Sequence, residues 1–213
     1  MIPEADRSFP PGAVGVDVGA SLAKLAARHP SGELRFWLFP SQEIERAARQ
    51  IEALAPGRVG VTGAGSERLA RALGRGDTAR VDEFEAWRTG AGLLLEQQGA
   101  GPPERDLVVS LGTGVSVLLV EPGRATRVGG TALGGGTLLG LAAALLGTRD
   151  FGELVRLAAA GDRRRVDLLV ADLEAGEAIP LPGEITAASL AKLATGARAE
   201  PADVAHALIA RHE

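Results

Sequence analysis

Cysteine is absent from this chain of 213 residues. Without thiols the protein forms no disulfides, no thiolate zinc sites and no cysteine nucleophile. Three histidines are present, and they are scattered, so a histidine metal site is not expected; they are His29, His206 and His212. Aromatic residues make up only 3% of the chain. Few rings are therefore available on which nucleic-acid bases could stack.

Excess positive charge and long apolar runs are lacking as well. The net charge is -4 and the pI is near 5.5. A nucleic-acid or anionic-membrane partner needs a basic face, so neither is expected. The longest apolar run, Leu138 to Leu146, is too short to span a bilayer, and residues 1–12 do not have the pattern of a signal peptide. We therefore expect a cytoplasmic protein, with no nucleic-acid or membrane partner.

The hydrophobic content of 46% is enough for a buried core, either in one α/β unit or in two small lobes. Apolar periodicity and turn residues predict the elements. The predicted strands are 13–18, 22–28, 34–39, 58–61, 79–81, 108–111 and 115–120. The predicted helices are 41–54 with Ser41 as N-cap, 66–73, 82–98 with Asp82 and Glu85 as a capping box, 138–146 with Thr137 as N-cap and Gly147 as C-terminal glycine, 151–160, 185–193 and 201–212.

Glycine is concentrated between Arg127 and Leu141, where it occupies six of fifteen positions. Such a cluster marks backbone that turns sharply or approaches another group closely. A glycine loop that leads into a helix could bind a phosphate at the helix N-terminus. The alternative is a mobile hairpin end, and the run by itself does not choose between the two.

Two hairpins repeat one pattern. Residues 16–23 (VDVGASLA) resemble residues 109–116 (VSLGTGVS), each a strand, a Gly/Ser/Thr turn and a return strand. Gly101 to Pro103 separates the two halves as a linker. We interpret this as an internal repeat that builds two related lobes, although two hairpins can also look alike by chance. Opposed turns of this kind could clamp the phosphates of a nucleotide.

Two charged residues flank the first turn. Asp17 ends an apolar strand, where an isolated carboxylate is costly unless it binds a cation or caps the turn as an Asx residue. Lys24 is, with Lys192, one of two lysines among 23 basic residues, and it could reach back to a phosphate or simply face solvent. Neither a Walker A motif nor a complete Rossmann glycine motif is present, since Gly63-Ala-Gly65 lacks the third glycine.

The residues from Gly15 to Lys24 (GVDVGASLAK) resemble the first phosphate motif of the actin-like ATPase and sugar kinase superfamily. More narrowly, an ordered set of segments resembles the type II pantothenate kinases. The segments are 81–85 (VDEFE), 112–116 (GTGVS), 127–131 (RVGGT), 133–141 (LGGGTLLGL), 161–163 (GDR), 167–172 (DLLVAD) and 183–188 (GEITAA). Ala20 replaces the second glycine of the first turn and must therefore keep a negative φ.

The resemblance implies ATP-dependent phosphorylation of pantothenate by a homodimer, with Mg²⁺ as the metal. Glu83 would be the catalytic base, held ionised by the dipole of its helix, and Asp17 would hold Mg²⁺. ATP and its phosphates would be bound by Asp17, Gly19, Ser21, Lys24, Gly112, Thr113, Gly135 and Gly136. Pantothenate would contact Thr113, Val115, Ser116 and Arg127. The glycine run would then join the acceptor and nucleotide sites.

The expected fold is α/β, an actin-like, ribonuclease H-like arrangement of two lobes at 13–100 and 104–213. Members of the family continue past the position of Glu213, so the second lobe is expected to be incomplete at its C-terminus. An alternative function is a non-catalytic or weakly active protein that binds pantothenate or a nucleotide. A kinase for a sugar or amino sugar is a third hypothesis, disfavoured by Arg127 and by the absence of a cysteine zinc motif.

Overall fold

The computed structural model describes residues 12–101, 104–173, 180–196 and 198–210. The chain divides into two compact units, Met1–Gly130 and Thr131–Glu213. The repeat places the lobe boundary earlier, at the linker, and the lobes 13–100 and 104–213 stay a prediction. Pro102 and Pro103 of that linker, and the end of the helix expected to reach His212, lie outside the described residues.

A five-stranded sheet forms the centre of the first unit, with the strand order β3-β2-β1-β4-β5. Its strands are β1 (Ala13–Val18), β2 (Leu22–Arg28), β3 (Leu34–Pro40), β4 (Arg58–Thr62) and β5 (Ala79–Arg80). The first three are antiparallel neighbours, whereas β4 runs parallel to β1 and β5 parallel to β4. Valines at alternate positions of β1 and β4 are buried, because successive strand residues face opposite sides of a sheet. Asp17 and Thr62 therefore share the opposite face.

Two helices cover the valine face of this sheet, α1 (Ile44–Leu54) and α2 (Ser66–Leu73). A 3-10 turn at Ser41–Glu43 precedes α1. The expectation that Ser41 caps the helix is wrong, because its hydroxyl donates instead to the carbonyl of Gly19 at 2.7 Å. The entry to α1 is thereby tied to the turn between β1 and β2.

The next helix, α3 (Glu83–Gln97), begins where the sequence predicts. The carboxylate of Asp82 accepts from the backbone N–H groups of Phe84 at 3.0 Å and Glu85 at 3.1 Å. The other half of the capping box does not form, since the Glu85 carboxylate accepts from Arg88 and Thr89. Asp82 therefore fixes the first turn of α3 and the position of Glu83 within it.

A three-stranded sheet follows in the order β6-β7-β8, with β6 (Asp106–Leu111), β7 (Val115–Glu121) and β8 (Arg124–Thr131). The predicted hairpin of β6 and β7 is confirmed, with Leu111 opposite Val115. Strand β8 was not predicted, because its glycines suggested a loop. Gly129 and Gly130 instead lie within this strand, so the glycine run begins in regular structure.

The second unit is mainly helical. It contains α4 (Gly135–Leu146), α5 (Phe151–Ala159), β9 (Leu168–Leu169), β10 (Thr186–Ala188), α6 (Ala191–Ala194) and α7 (Pro201–Ala210). Its core includes Leu138, Leu154, Val166 and Leu208. The predicted helix at 185–193 is wrong: the segment forms β10 and then the short α6, because the backbone N–H of Leu190 turns to the buried carboxylate of Asp167 at 2.7 Å. None of the described helices is long and apolar enough to cross a membrane.

Candidate functional site

Asp17 and Lys24 face each other across β1 and β2. The Lys24 ammonium donates to Oδ2 of Asp17 at 2.8 Å and is half exposed. The second carboxylate oxygen, Oδ1, is buried and has no hydrogen-bond partner. Asp17 therefore does not cap the turn through Oδ1, and one buried oxygen is left without a partner, which is costly.

Thr62 and Gly63 border the same carboxylate, which the sequence analysis did not anticipate. Thr62 is the register partner of Asp17 at the end of the parallel strand β4. Gly63 has φ +84, and a Cβ added there would lie 2.6 Å from Oδ1 of Asp17. Only glycine fits at this position. The signal available in the sequence is the run TGAG at residues 62–65 after a short strand, a run that lacks the third glycine of a Rossmann motif.

Glu83 lies in the first turn of α3 and interacts electrostatically with Asp17 and Lys24. Burial raises the pKa of its carboxyl above the ordinary value, the charge of Asp17 raises it further, and Lys24 opposes both. The helix dipole was expected to hold Glu83 ionised. Burial and the neighbouring carboxylate act against the helix dipole and Lys24, and the expectation that Glu83 is ionised at neutral pH stays a prediction.

The turns of the two hairpins meet within the first unit. The hydroxyl groups of Ser21 and Thr113 are hydrogen-bonded at 2.8 Å. The N–H of Gly19 closes its own turn onto Leu22 at 3.0 Å, and that of Gly112 closes onto Gly114 at 2.9 Å. The two turns thus lie side by side, with the hydroxyl-bearing residues at the contact, and their role as a phosphate clamp stays a prediction.

Ala20, the departure from the glycine pattern of the first turn, keeps a negative φ as the sequence analysis requires. Among the described residues other than glycine, positive φ values occur at Ala55 and Leu190. An alanine side chain is therefore accommodated in the turn without backbone strain.

Arg127 lies on β8 beside the start of β7. A Cβ added at Gly130, whose φ is +146, would lie 2.5 Å from the Arg127 guanidinium and 3.2 Å from Cα of Ser116, and would overlap the Val115 carbonyl. The glycine at 130 therefore lets the arginine fold against this part of β7. Three of the residues assigned to acceptor binding, Val115, Ser116 and Arg127, are brought together here.

Gly135 and Gly136 belong to the second unit, where they form the first turn of α4. The N-cap is Gly134, so the prediction of Thr137 as N-cap is wrong; its hydroxyl donates to the Ala132 carbonyl at 2.9 Å. Gly147 ends the helix with φ +72, as predicted. The N–H groups of the first turn of a helix have no partner within it, and these are the groups that can bind an anion.

The described residues contain no group of three or more His, Cys, Asp or Glu side chains that could hold a metal. A Mg²⁺ ion does not need such a group, since it keeps several waters and is bound by one or two carboxylates together with phosphate oxygens. Asp17 offers one such carboxylate, and its Oδ2 is the oxygen that is not buried without a partner.

The fold is of the actin-like ATPase class, as predicted. The chain is similar to component A of (R)-2-hydroxyglutaryl-CoA dehydratase from Acidaminococcus fermentans, with a TM-score of 0.56 and 18% identity over 93% of this chain and 75% of that one. It is also similar to the activator of 2-hydroxyisocaproyl-CoA dehydratase from Clostridium difficile, with a TM-score of 0.55 and 14% identity over 92% of this chain and 70% of that one.

The chain belongs to the Fumble family, whose model matches residues 105–211. Its relatives include type II pantothenate kinases, as the sequence motifs indicate. The enzyme of Oceanobacillus iheyensis is 32% identical over 84% of this chain and 66% of its own length. That of Bacillus thuringiensis subsp. konkukian is 28% identical over 85% and 66%, and that of Staphylococcus haemolyticus 32% over 83% and 65%. The chain thus spans just under two thirds of the length of these relatives.

Proposed function

We propose that this protein transfers the γ-phosphoryl group of ATP to the primary hydroxyl of pantothenate, forming 4'-phosphopantothenate in the first step of coenzyme A biosynthesis. The observation that carries the proposal is the grouping of Glu83 with Asp17 and Lys24, a carboxyl of raised pKa beside a carboxylate and a lysine. The identity of the acceptor, pantothenate, is inferred from the names of the relatives. A base, a cation ligand and a phosphate-neutralising charge are the parts that phosphoryl transfer needs.

Glu83 acts as the general base. Its carboxylate accepts the proton of the pantothenate hydroxyl while the hydroxyl oxygen bonds to the γ-phosphorus, and the bond from that phosphorus to the β,γ-bridging oxygen breaks as ADP leaves. Burial and Asp17 raise the pKa of Glu83. A base works best when its pKa approaches the working pH, so the shift makes Glu83 a better proton acceptor.

Asp17 and Lys24 serve the nucleotide. Asp17 would hold Mg²⁺, which offsets the charge on the phosphate oxygens. Lys24 already lies on the Asp17 carboxylate at 2.8 Å and supplies a second positive charge. Since the N–H groups of Gly19 and Gly112 close their own turns, the donors proposed for the phosphates are the hydroxyl groups of Ser21 and Thr113, whose hydrogen bond to each other is exchanged for bonds to the phosphate oxygens. Phosphate binding by Gly135 and Gly136, which lie at the start of α4 in the second unit, stays a prediction from the sequence.

Arg127 binds the acceptor together with Val115, Ser116 and Thr113. A guanidinium presents a planar fork of donors, which suits the carboxylate or the amide oxygen of pantothenate. Its place beside Val115 and Ser116 puts that fork on the surface of β7 and β8. We propose further that the protein is cytoplasmic and that it acts as a homodimer. Light scattering on the purified chain tests whether it is a dimer.

An acceptor panel tests the proposed function. ADP release is measured with pantothenate, pantetheine and a set of hexoses, each with Mg²⁺ and ATP. Pantothenate should be phosphorylated at the highest kcat/KM. Turnover of a hexose in preference would contradict the assignment in favour of a sugar kinase. Binding of pantothenate without turnover of any acceptor would favour a binding protein.

The role of Arg127 is tested by Arg127→Ala, which should raise KM for pantothenate at least about tenfold, the loss of one charge-assisted contact of about 1.5–3 kcal/mol. Binding of ATP should change little. Arg124→Ala is the matched control, since Arg124 lies on the same strand with its side chain on Thr126. An equal loss of pantothenate and ATP binding in Arg127→Ala would show that Arg127 serves the nucleotide instead.

A further inference from the structure

Two buried polar atoms in the described part of the chain have no hydrogen-bond partner, Oδ1 of Asp17 and Oγ1 of Thr62. Native proteins satisfy nearly all such groups, so an exception calls for an explanation. These two are not independent, because the residues that bear them are register partners on the neighbouring parallel strands β1 and β4. A donor without an acceptor and an acceptor without a donor thus lie next to each other.

The register places both side chains on one face of the sheet. The core lies on the other face, where Val16, Val18 and Val61 are buried, and strand residues alternate between faces. Asp17 and Thr62 therefore project together, at the ends of their strands. Thr62 is only 9% exposed, which keeps bulk water from satisfying its hydroxyl.

The loop after Thr62 closes on the carboxylate. The Cβ position at Gly63 is 2.6 Å from Oδ1, and the N–H of Gly65 donates to the Val18 carbonyl at 2.9 Å. The hydrogen bond from Gly65 to Val18 joins the loop after β4 to the end of β1. Oδ1 is buried and borders Gly63, and Oδ2 is the oxygen that faces Lys24.

We propose that Thr62 is a positioning residue for Asp17. Its hydroxyl donates to Oδ1 after a rotation about χ1, which requires no movement of the backbone because the two residues are in register. The hydrogen bond fixes the plane of the carboxylate and leaves Oδ2 directed outward, toward Lys24 and the cation that accompanies the nucleotide. The proposal rests on the proposed function only in assigning that cation to Asp17.

A threonine that served packing alone would behave differently. Valine has the same shape and the same strand preference as threonine. Replacing an unpaired buried hydroxyl by a methyl group removes a desolvation cost and creates no cavity. If Thr62 served packing alone, the metal-free Thr62→Val protein would therefore unfold at the same urea concentration as the wild type or at a higher one, with an unchanged cation site. If its hydroxyl donates to Oδ1, Thr62→Val leaves a buried carboxylate oxygen without a donor, so the variant should unfold at a lower urea concentration and its cation site should be weakened.

The test uses the 213-residue chain, Mn²⁺ and a non-hydrolysable ATP analogue, without acceptor. Bound Mn²⁺ is measured by the loss of the EPR signal of the free ion. Thr62→Val should raise the dissociation constant of Mn²⁺ about tenfold, the lower end of the effect of residues that orient metal ligands. Thr62→Ser, which keeps the hydroxyl, should stay within about twofold of the wild type.

A double-mutant comparison with Asp17 distinguishes a positioning role of Thr62 from a general effect of the substitution on the structure. In the Asp17→Asn background, Thr62→Val should cause no additional loss of Mn²⁺ affinity, since the group it orients has already been changed. Unchanged Mn²⁺ affinity in Thr62→Val, an equal loss in both backgrounds, or a wild type that binds no Mn²⁺ with the nucleotide would each overturn the proposal. Failure of the acceptor panel with intact Thr62–Asp17 coupling would overturn the choice of acceptor and leave the role of Thr62 standing.

Discussion

Glu83 shows at the scale of one residue how the site overrides a local rule. The first turn of a helix favours a charged carboxylate, yet burial and Asp17 shift the pKa of Glu83 upward. A raised pKa means that the folded protein binds the proton of Glu83 more tightly than the unfolded chain does. Ionised Glu83 therefore costs stability at neutral pH, and this cost accompanies its use as a base.

Glu83→Gln should for this reason be more stable than the wild type at pH 7. The gain should fade as the pH falls through the raised pKa toward about 4.3, the ordinary value for glutamate, because the wild-type carboxyl then becomes neutral in both states. Urea unfolding at pH 7 and near pH 4 measures this. Glu85→Gln is the control of opposite sign, since Arg88 lowers the pKa of Glu85. A loss of stability at pH 7 in Glu83→Gln would contradict the assigned shift.

Gly63 is the second residue whose environment gives a sharp expectation. Gly63→Ala places a Cβ on Asp17 in a left-handed backbone and should cost about 2–4 kcal/mol, the sum of backbone strain and displacement of the carboxylate. Gly74→Ala is the control for backbone strain alone, since Gly74 also has a positive φ, +60, but has open space around it. Thermal or urea unfolding compares the two. Equal losses would show that the contact of Gly63 with Asp17 contributes nothing.

At the scale of elements, the hairpins were predictable and the irregular segments were not. Alternating valines and three-residue turns specified β1–β2 and β6–β7 closely. Strand β8 escaped prediction because its glycines carry no side-chain pattern, and β10 with α6 replaced a predicted helix because of the long-range bond from Leu190 to Asp167. Local sequence does not encode a contact with a residue so distant in the chain.

The cap of α3 is the element on which the position of Glu83 depends. Asp82→Ala should lower the free energy of unfolding by about 0.5–2 kcal/mol and should reduce kcat by releasing the first turn of the helix. Asp150→Ala removes the corresponding cap of α5, where Asp150 accepts from the N–H of Glu153 at 2.6 Å. Urea unfolding and ADP release measure both. If Asp82→Ala and Asp150→Ala lower kcat equally, the cap of α3 has no special link to catalysis.

At the scale of the molecule, the described residues form two hydrophobic core clusters, one in each compact unit. Leu69→Ala in α2 and Leu154→Ala in α5 remove fully buried side chains and should each cost about 2–5 kcal/mol. Hydrogen exchange followed by mass spectrometry should show faster exchange mainly in the unit that carries the substitution. Faster exchange spread evenly over both units in either variant would contradict this division.

The site as a whole was accessible from the sequence only in part. The sequence predicted Asp17 and Lys24 from the pattern around the first turn, and Glu83 and Arg127 through the resemblance to the type II pantothenate kinases. It did not reveal Thr62 and Gly63 as neighbours of Asp17, since their proximity comes from the parallel pairing of β1 with β4. The direction of the Glu83 pKa shift likewise follows from burial, which depends on the folded chain.

The most direct measurement of the central claim is the turnover of pantothenate by Glu83→Gln, with binding of an ATP analogue measured on the same protein. If Glu83 is the base for phosphoryl transfer to pantothenate, kcat should fall by about 10²–10⁴-fold, while the analogue binds within about twofold of the wild type. Turnover of pantothenate by Glu83→Gln at the wild-type rate would contradict the account.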